Sequence, residues 1–450
     1  MMTPNPPVES VRQEPPALPP SAQPISLQDV EANGVTNAFC SNFPGQDHVI
    51  LVRGRRGWAL TEGWRLENNP IMGVGLLEPA NAGDFAANIW NDVPVPLHAV
   101  ILMAIGGTVA GVLCTFAFAD SIRAWHNMQF LRRQAAELQA QKKDAQPRQP
   151  GRETIDKLTK RELRTEIVNR WSMDILMGVG SVLISIGTFM AIGGADHTVF
   201  FVSNILSGYL GNAPIALFGL INASWQAVVW KKMHSHKKAA EKSLQGQPAL
   251  TAIRKRCFNV QLYSIVNGTS TVLGGVGSML TPTWWWGYVI LLPVIIASFL
   301  CNLWWRRKVG YDRPDINSAS ITSPENLMDE LRVARRIKQI IEDHPGAALC
   351  HLVPDREKPD GLLTFSASHG LFESFCQKFA GDESLCPLPD RSKAAQLSLD
   401  RDSLSELFYC HQSRFLKIAE GLLHAEGPKH FRHRRRFFTE FLGEHTAGTM

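Results

Sequence analysis

Several motifs that commonly reveal a function are missing from this chain of 450 residues. There is no Gly-Lys-Ser/Thr phosphate-binding loop, which excludes an ATP-driven pump subunit. There is no Cys-x-x-Cys pair and no His-x-x-x-His pair, so the ligand spacings of a zinc site are absent. No Ser or Cys has the setting of a nucleophile. We therefore expect no catalytic residue, no metal and no cofactor.

Five long apolar runs dominate what is present, at 95–119, 175–192, 213–230, 259–280 and 287–305. At ~1.5 Å per residue, each is long enough as a helix to cross a hydrocarbon core of ~30 Å. No run carries Lys, Arg, Asp or Glu near its centre, which argues against proton-driven transport. The runs predict an all-α membrane protein with a five-helix transmembrane domain at 95–305.

Loop charge predicts the orientation of the five crossings. The loop after the first run has twelve basic and seven acidic residues, and the loop after the third has eight basic and one acidic. The two loops on the other side have no Lys or Arg. Because basic loops are retained in the cytoplasm, we expect the tail 1–94 outside or in a lumen and the tail 306–450 in the cytoplasm. Cytoplasmic loops also account for the net charge of +5, so no nucleic-acid partner is expected.

Tryptophan and cysteine agree with this placement. Nine of the twelve Trp residues lie at the edges of the runs, where the indole ring is apolar and its N–H stays wet. Of the eight Cys residues, only Cys40 falls on the predicted outer side, which excludes an intramolecular disulfide there.

The outer tail 1–94 is acidic, has no Lys and begins with a Pro-rich stretch, so we expect it to be largely irregular. Its first thirty residues contain no apolar segment of a signal peptide, and the first crossing is expected to act as the insertion signal. The pattern over 47–64 fits either a short β-hairpin or an irregular ordered loop on the outer face.

The apolar stretch 200–210 is too short to cross a membrane alone, and 211–214 interrupts it before the third run. A flat interfacial helix is the favoured interpretation, and a re-entrant piece or a kinked extension of the third crossing are the alternatives. A broken helix at membrane depth normally lines a cavity. Candidates for a polar site in the membrane are Asn204, Asn212 and Asn222.

The tail 306–450 is predicted to be helical. Ser323 precedes one helix that Pro345 ends. Further helices are predicted at 371–379, 403–424 and 429–442.

The segment 429–438 alternates basic and aromatic residues. It fits a helix on an anionic cytoplasmic leaflet, or a core helix with a solvated basic face. The candidates for lipid contact are Arg432, Arg434, Arg435 and Arg436.

Two stretches carry a resemblance to known proteins. Residues 57–70 are GWALTEGWRLENNP, and residues 88–94 are NIWNDVP. Both are similar to the outer tail of uncharacterised fungal multi-pass integral membrane proteins, and the likeness extends loosely through the five crossings. Some of those proteins are encoded beside secondary-metabolite enzymes. The resemblance implies a membrane protein of a metabolite gene cluster, and it implies no activity or catalytic residue.

These observations favour a non-catalytic multi-pass membrane protein that acts as a scaffold or accessory factor. Its partners would be the lipid bilayer and proteins that dock on the outer and cytoplasmic tails. The alternative is a transporter or channel for a small, mostly apolar molecule, with its site at 200–214. A membrane-bound enzyme ranks third because no acid–base or metal constellation is visible.

Overall fold

The computed structural model describes residues 48–54, 57–60, 78–90, 95–144, 150–193, 196–314, 323–353, 355–382 and 396–448. Of these residues 84% are helical, which confirms the prediction of an all-α protein. The structure also contains one small three-stranded sheet. In chain order the elements are β1 (His48–Gly54), β2 (Gly57–Leu60), α1 (Phe85–Ile89), α2 (Leu97–Asp144), α3 (Pro150–Glu166), α4 (Met173–Ala191), α5 (His197–Asn204), α6 (Asn212–Ser243), α7 (Pro248–Leu280), α8 (Gly287–Trp304), α9 (Pro324–Asp343), α10 (Ala348–Leu352), α11 (Pro359–Ser368), α12 (Phe372–Gly381), β3 (Gln396–Asp400) and α13 (Arg401–Gly448). A 3-10 helix spans Glu78–Ala82, and wider π-helical turns span Ile167–Ser172, Ile205–Leu210 and Trp305–Val309.

The membrane-spanning part is built from long apolar helices. Among the described residues, four are long and apolar enough to cross a membrane: Leu97–Ala140, Gly151–Ala191, His197–Ser243 and Gly287–Val309. Large apolar side chains project from their outer faces, among them Leu97 at 75%, Phe116 at 64% and Leu292 at 63% exposure. A belt of this kind is far larger than the apolar patches of water-soluble proteins. The protein is therefore integral to a membrane.

The stretch 200–210 belongs to one of these helices. From His197 to Ser243 the chain is continuously helical, apart from a widened turn. The helix packs on α4, where Ser203 Oγ donates to the carbonyl of Gly187 at 3.0 Å. The favoured interpretation as a flat interfacial helix is therefore wrong, and the stretch is an extension of the third crossing.

Helix α7 packs antiparallel along α6. A Cβ on Gly275 would lie 2.8 Å from the Cα of Ala216, so the absence of a side chain allows the two backbones to approach closely. The buried face of α7 carries Gly, Ser and Thr residues, and this helix is not among the four above. Its outward face carries Phe258, Ile265 and Leu273, all more than half exposed.

The C-terminal region shares a hydrophobic core with one end of the bundle. The core includes Met173, Val260 and Trp305 of the bundle and four side chains near the end of α13. These four are at most 1% exposed and are Phe437, Phe438, Phe441 and Leu442. This is the end at which the basic loops lie, and we call it the basic end.

In the C-terminal region the helices predicted from local sequence signals are present, but some of them begin or end at other residues. Helix α9 begins at Pro324, and Ser323 Oγ caps it by accepting from the N–H of Asn326 at 3.2 Å. Helix α13 consists of two helical segments that meet at a kink at His411, so the helix predicted at 403–424 is interrupted there. The second segment runs through Pro428 and includes the helix predicted at 429–442.

The N-terminal strands lie with the C-terminal region. β1 and β2 are antiparallel, so of the two interpretations of 47–64 the hairpin holds. β1 also pairs antiparallel with β3, with His48 opposite Asp400 and Leu51 opposite Leu397. Because one sheet cannot form across a bilayer, the prediction that all of 1–94 lies on the opposite side from 306–450 is wrong for 48–60.

Residues 78–90 lie at the other end of the bundle. Tyr288, at the start of α8, donates from its hydroxyl to Asp84 Oδ1 at 3.0 Å, and Asn88 Nδ2 donates to Asp84 Oδ2 at 3.0 Å. A side chain on Gly106 of α2 would collide with the backbone of Gly83. Residues 78–90 and the start of α2 therefore lie at the end of the bundle opposite to the C-terminal region.

The pairing of β1 with β3 predicts that residues 48–60 lie on the same side of the membrane as the C-terminal region. With one epitope tag inserted between β1 and β2 and one at the C-terminus, protease treatment of sealed microsomes should digest both tags or protect both. Permeabilisation with detergent should expose both tags and serves as the control. Digestion of only one tag in sealed microsomes would restore the opposite-side topology that loop charge predicts.

Candidate functional site: a polar cavity beside a lipid-facing groove

The three asparagines that the sequence singles out do not form one site. Asn222 is buried between α6 and α7, and its Nδ2 donates to Thr271 Oγ1 at 3.0 Å. Asn212 is buried nearer the opposite end, where its Nδ2 donates to the carbonyl of Gly208 at 2.7 Å. Asn204, which is half-buried, also lies beside Gly208. Only Asn222 belongs to the polar network described next.

A row of buried amides extends from Asn222 toward the basic end. Gln226 Nε2 donates to Asn222 Oδ1 at 3.1 Å and to Asn169 Oδ1 at 3.3 Å. Asn169 lies in the π-helical turn that precedes α4, and such turns are frequent at functional sites. Asn169 and Gln226 are not marked by charge, the feature that most clearly indicates a polar site inside an apolar run. A glutamine inside the third apolar run was the available signal.

Two of these amides, Asn169 and Gln226, line a small cavity at the basic end, which we call the polar cavity because charged and amide side chains surround it. Its volume is about 50 Å³, which is room for about three to five waters and too little for an organic ligand. Ser264 of α7 also lines it, and the buried Ser264 Oγ has no hydrogen-bond partner among the described residues. The cavity can therefore hydrate a polar group that reaches it.

The charged residues around the cavity are all engaged with one another. Glu440 of α13 lies 2.6 Å from Arg161 Nη2 and accepts from Arg256 Nη2 at 2.6 Å. Burial alone would raise the pKa of Glu440, but the two guanidinium groups outweigh it and hold the pKa at about 2. Glu162 accepts from the Tyr311 hydroxyl at 2.6 Å and from Arg313 Nη1 at 3.0 Å. Neither carboxylate is free to act as a general base.

A second contact joins α13 to the bundle one turn further along. Glu444 Oε2 forms an ion pair with Lys232 Nζ at 2.8 Å and lies 3.2 Å from His236 Nε2. Burial would raise the pKa of Glu444, but His236 and Lys232 outweigh it and hold the pKa at about 2. Glu440 and Glu444 thus hold the end of α13 against the bundle beside the cavity.

A larger groove opens beside the cavity, on the lipid-facing side of α6 and α7. Its volume is about 570 Å³ and its walls are mostly apolar. The lining residues are Ala223, Gln226, Ala227, Trp230, Ser264, Ile265, Gly268, Thr269, Val272 and Leu273. Gln226 and Ser264 line both the groove and the cavity. They are the points at which an occupant of the groove would meet the polar network.

A separate buried ion cluster joins α2 to the turn before α4. Arg170 donates to Asp120 from Nε at 2.9 Å and from Nη2 at 2.8 Å, and from Nη1 to Glu166 Oε1 at 3.0 Å. Asp174 is fully buried nearby, and its oxygens accept no hydrogen bond from the described residues. None of these four residues lines the cavity, so we assign the cluster to assembly of the bundle.

The basic segment near the C-terminus is largely engaged inside the protein. Arg434 is buried and donates to Glu330 at 3.0 Å, and burial lowers the pKa of Arg434. Arg436 donates to the carbonyl of Gly310 at 2.6 Å. The lipid-contact interpretation is therefore wrong for Arg434, and the core-helix alternative describes the Phe side chains. For the exposed Arg432 and the half-buried Arg435, lipid contact stays a prediction.

The described residues contain no group of three or more His, Cys, Asp or Glu that could hold a metal ion. No protein family, curated protein or solved structure matches the chain. The function must therefore be argued from the groove and the cavity themselves.

Proposed function

We propose that this is a non-catalytic membrane protein with five membrane-spanning helices, which holds a small, mostly apolar molecule in the groove between α6 and α7. The observation that carries the proposal is that Gln226 and Ser264 line both the groove and the polar cavity. Ligand sites are typically apolar with a few fixed polar groups. The groove suits an apolar body, and the two side chains suit one hydroxyl or carbonyl group at its end.

The fifth crossing in this proposal is α7. Its length of 33 residues, its antiparallel packing on α6 and its exposed apolar stripe support the assignment. Its polar inner face is satisfied within the bundle, as polar groups in a membrane must be. The basic end faces the cytoplasm in this proposal, since Lys and Arg concentrate there.

The biological role that we propose is that of an accessory factor. The C-terminal region folds against the bundle as one body and offers a surface for protein partners at the membrane. The resemblance to fungal proteins encoded beside secondary-metabolite enzymes favours a role in retaining or presenting a metabolite to such partners.

The proposal predicts that a groove-filling substitution excludes a membrane-dissolved probe. The probe is a long-chain fatty alcohol with a diazirine group, added to the reconstituted protein. Photolabelling should concentrate on 223–230 and 264–273. In Ala227→Leu it should fall about tenfold, because the added side chain occupies the exposed groove.

The matched control is Ser224→Leu, which adds a similar side chain at a lipid-facing position outside the groove lining. It should leave the labelling unchanged. Uniform labelling of all lipid-facing helices, with no effect of Ala227→Leu, would refute the proposed site.

A transporter is the second candidate, and the continuity of the groove with the cavity favours it. Movement of the same probe between the leaflets of reconstituted vesicles, faster than in protein-free vesicles, would support transport. A stoichiometric protein partner that copurifies, without such movement, would support the accessory role.

A further inference from the structure

A cleft at the basic end has basic and apolar walls. It lies between α3 and α6, on the other side of α6 from the groove, and has a volume of about 190 Å³. Its lining contains no acidic residue. The lining residues are Lys157, Lys160, Arg161, Arg164, Trp225, Val228, Val229 and Lys232.

The cleft lies where the hydrocarbon region ends. Along α6 its wall runs from Trp225 through Val228 to Lys232, and the third apolar run ends within this stretch. Val228 is 53% exposed on the lipid-facing surface. A ligand in the cleft would therefore contact apolar side chains at one end and ammonium groups at the other. A membrane lipid, which has one apolar and one polar end, fits this arrangement.

Three of the five cations are available to a ligand. Arg161 and Lys232 are committed to the glutamates of α13. Lys157 and Lys160 are 41% and 42% exposed, and each has an acidic partner only one turn away on its own helix. Arg164 is exposed and has no ion pair among the described residues.

The cleft also contains a hydrogen-bond donor that has no partner among the described residues. The indole Nε1 of Trp225, which lines the cleft, is buried and has no hydrogen-bond partner among the described residues. A buried N–H without a partner destabilises the folded protein, because it has lost its hydrogen bonds to water. A phosphate or ester oxygen of a lipid would satisfy it.

We propose that this cleft binds the phosphate of an anionic phospholipid in the leaflet at the basic end. Lys157, Lys160 and Arg164 contact the phosphate, and Trp225 and Val228 contact the glycerol and upper acyl region. Basic pockets between helices on the cytoplasmic side commonly bind lipid headgroups. This site is independent of the groove between α6 and α7.

The test uses the full-length protein in nanodiscs of phosphatidylcholine, with and without phosphatidic acid. Native mass spectrometry should show phosphatidic acid retained by the wild type. The triple variant K157Q/K160Q/R164Q should bind it about a hundredfold more weakly, since each cation near the surface contributes about 1 kcal/mol. The control K231Q/K238Q/K242Q removes the same charge from α6 outside the cleft and should bind normally.

Further measurements separate the other outcomes. Arg164→Gln alters one exposed side chain, cannot unfold α3, and should weaken retention about fivefold by the same reasoning. Glycerol 3-phosphate in solution should not displace the lipid, and displacement would assign the cleft to free phosphate instead. Equal losses in the two triple variants, or none in Arg164→Gln, would overturn the proposal.

Discussion

Replacing Arg170 with Met is expected to prevent stable assembly of the transmembrane bundle. The guanidinium group is 2% exposed and neutralises Asp120 and Glu166, with side chains 7% and 4% exposed. Without it, the carboxylates of Asp120 and Glu166 would repel each other in a medium that solvates them poorly. Removal of one partner from a buried ion pair costs about 3–5 kcal/mol, a large part of the stability of most domains.

The measurement is the thermal unfolding midpoint and size-exclusion profile of the protein in detergent. Arg133→Met is the matched control, because Arg133 is exposed on α2 and has no ion pair among the described residues. Adding Asp120→Asn and Glu166→Gln to Arg170→Met should recover part of the stability. An unfolding midpoint for Arg170→Met equal to that of the control would show that the cluster does not hold the bundle together.

Replacing Glu440 with Gln is expected to loosen the end of α13 from the bundle. Arg161 and Arg256 both lose their charged partner, and both are largely buried, at 10% and 8% side-chain exposure. The pKa of Glu440 falls from 4.5 to about 2 in the folded protein. By linkage, this shift corresponds to a stabilisation on the order of 3 kcal/mol.

The direction of the pH dependence follows from the lowered pKa. The stabilisation is complete above the unfolded pKa of 4.5 and is lost as the pH falls toward about 2. The variant should therefore be less stable than the wild type at neutral pH, and the difference should shrink in acid. Hydrogen exchange of the backbone amides of 437–446, followed by mass spectrometry across pH, reports the release of the helix.

Glu426→Gln is the control on the same helix. Glu426 is 47% exposed and pairs with Lys378 at the surface, where an ion pair contributes little. Its variant should resemble the wild type at every pH. Release of α13 in Glu426→Gln, or none in Glu440→Gln, would contradict the role of Glu440.

Local composition predicted the features that depend only on residues close to one another in the sequence. An apolar run long enough to span a bilayer is helical wherever it lies, so the helices at 95–119, 175–192 and 287–305 could be located from the residues alone. The helix start at Ser323 is equally local, since a cap and its N–H partner are three residues apart.

The candidate site could not be assembled in this way. Asn169 and Gln226 are 57 residues apart, and neither has a local pattern that marks it as a partner of the other. Asn204 and Asn212 looked equivalent to Asn222 because all three are amides near an apolar run. Only the packing of α6 against α7 separates Asn222 from the other two and places it beside the cavity.

The side of the membrane on which the N-terminal strands lie also required the fold. Loop charge is a rule about each segment and its adjacent crossing, and it carries no information on strand pairing. β1 pairs with β3 across about 350 residues of chain, from His48 to Asp400. Likewise, the arginines at 432–436 resemble a lipid-binding face in sequence. Arg434 meets Glu330 only because α9 and α13 pack together, and this contact places its charge inside the protein.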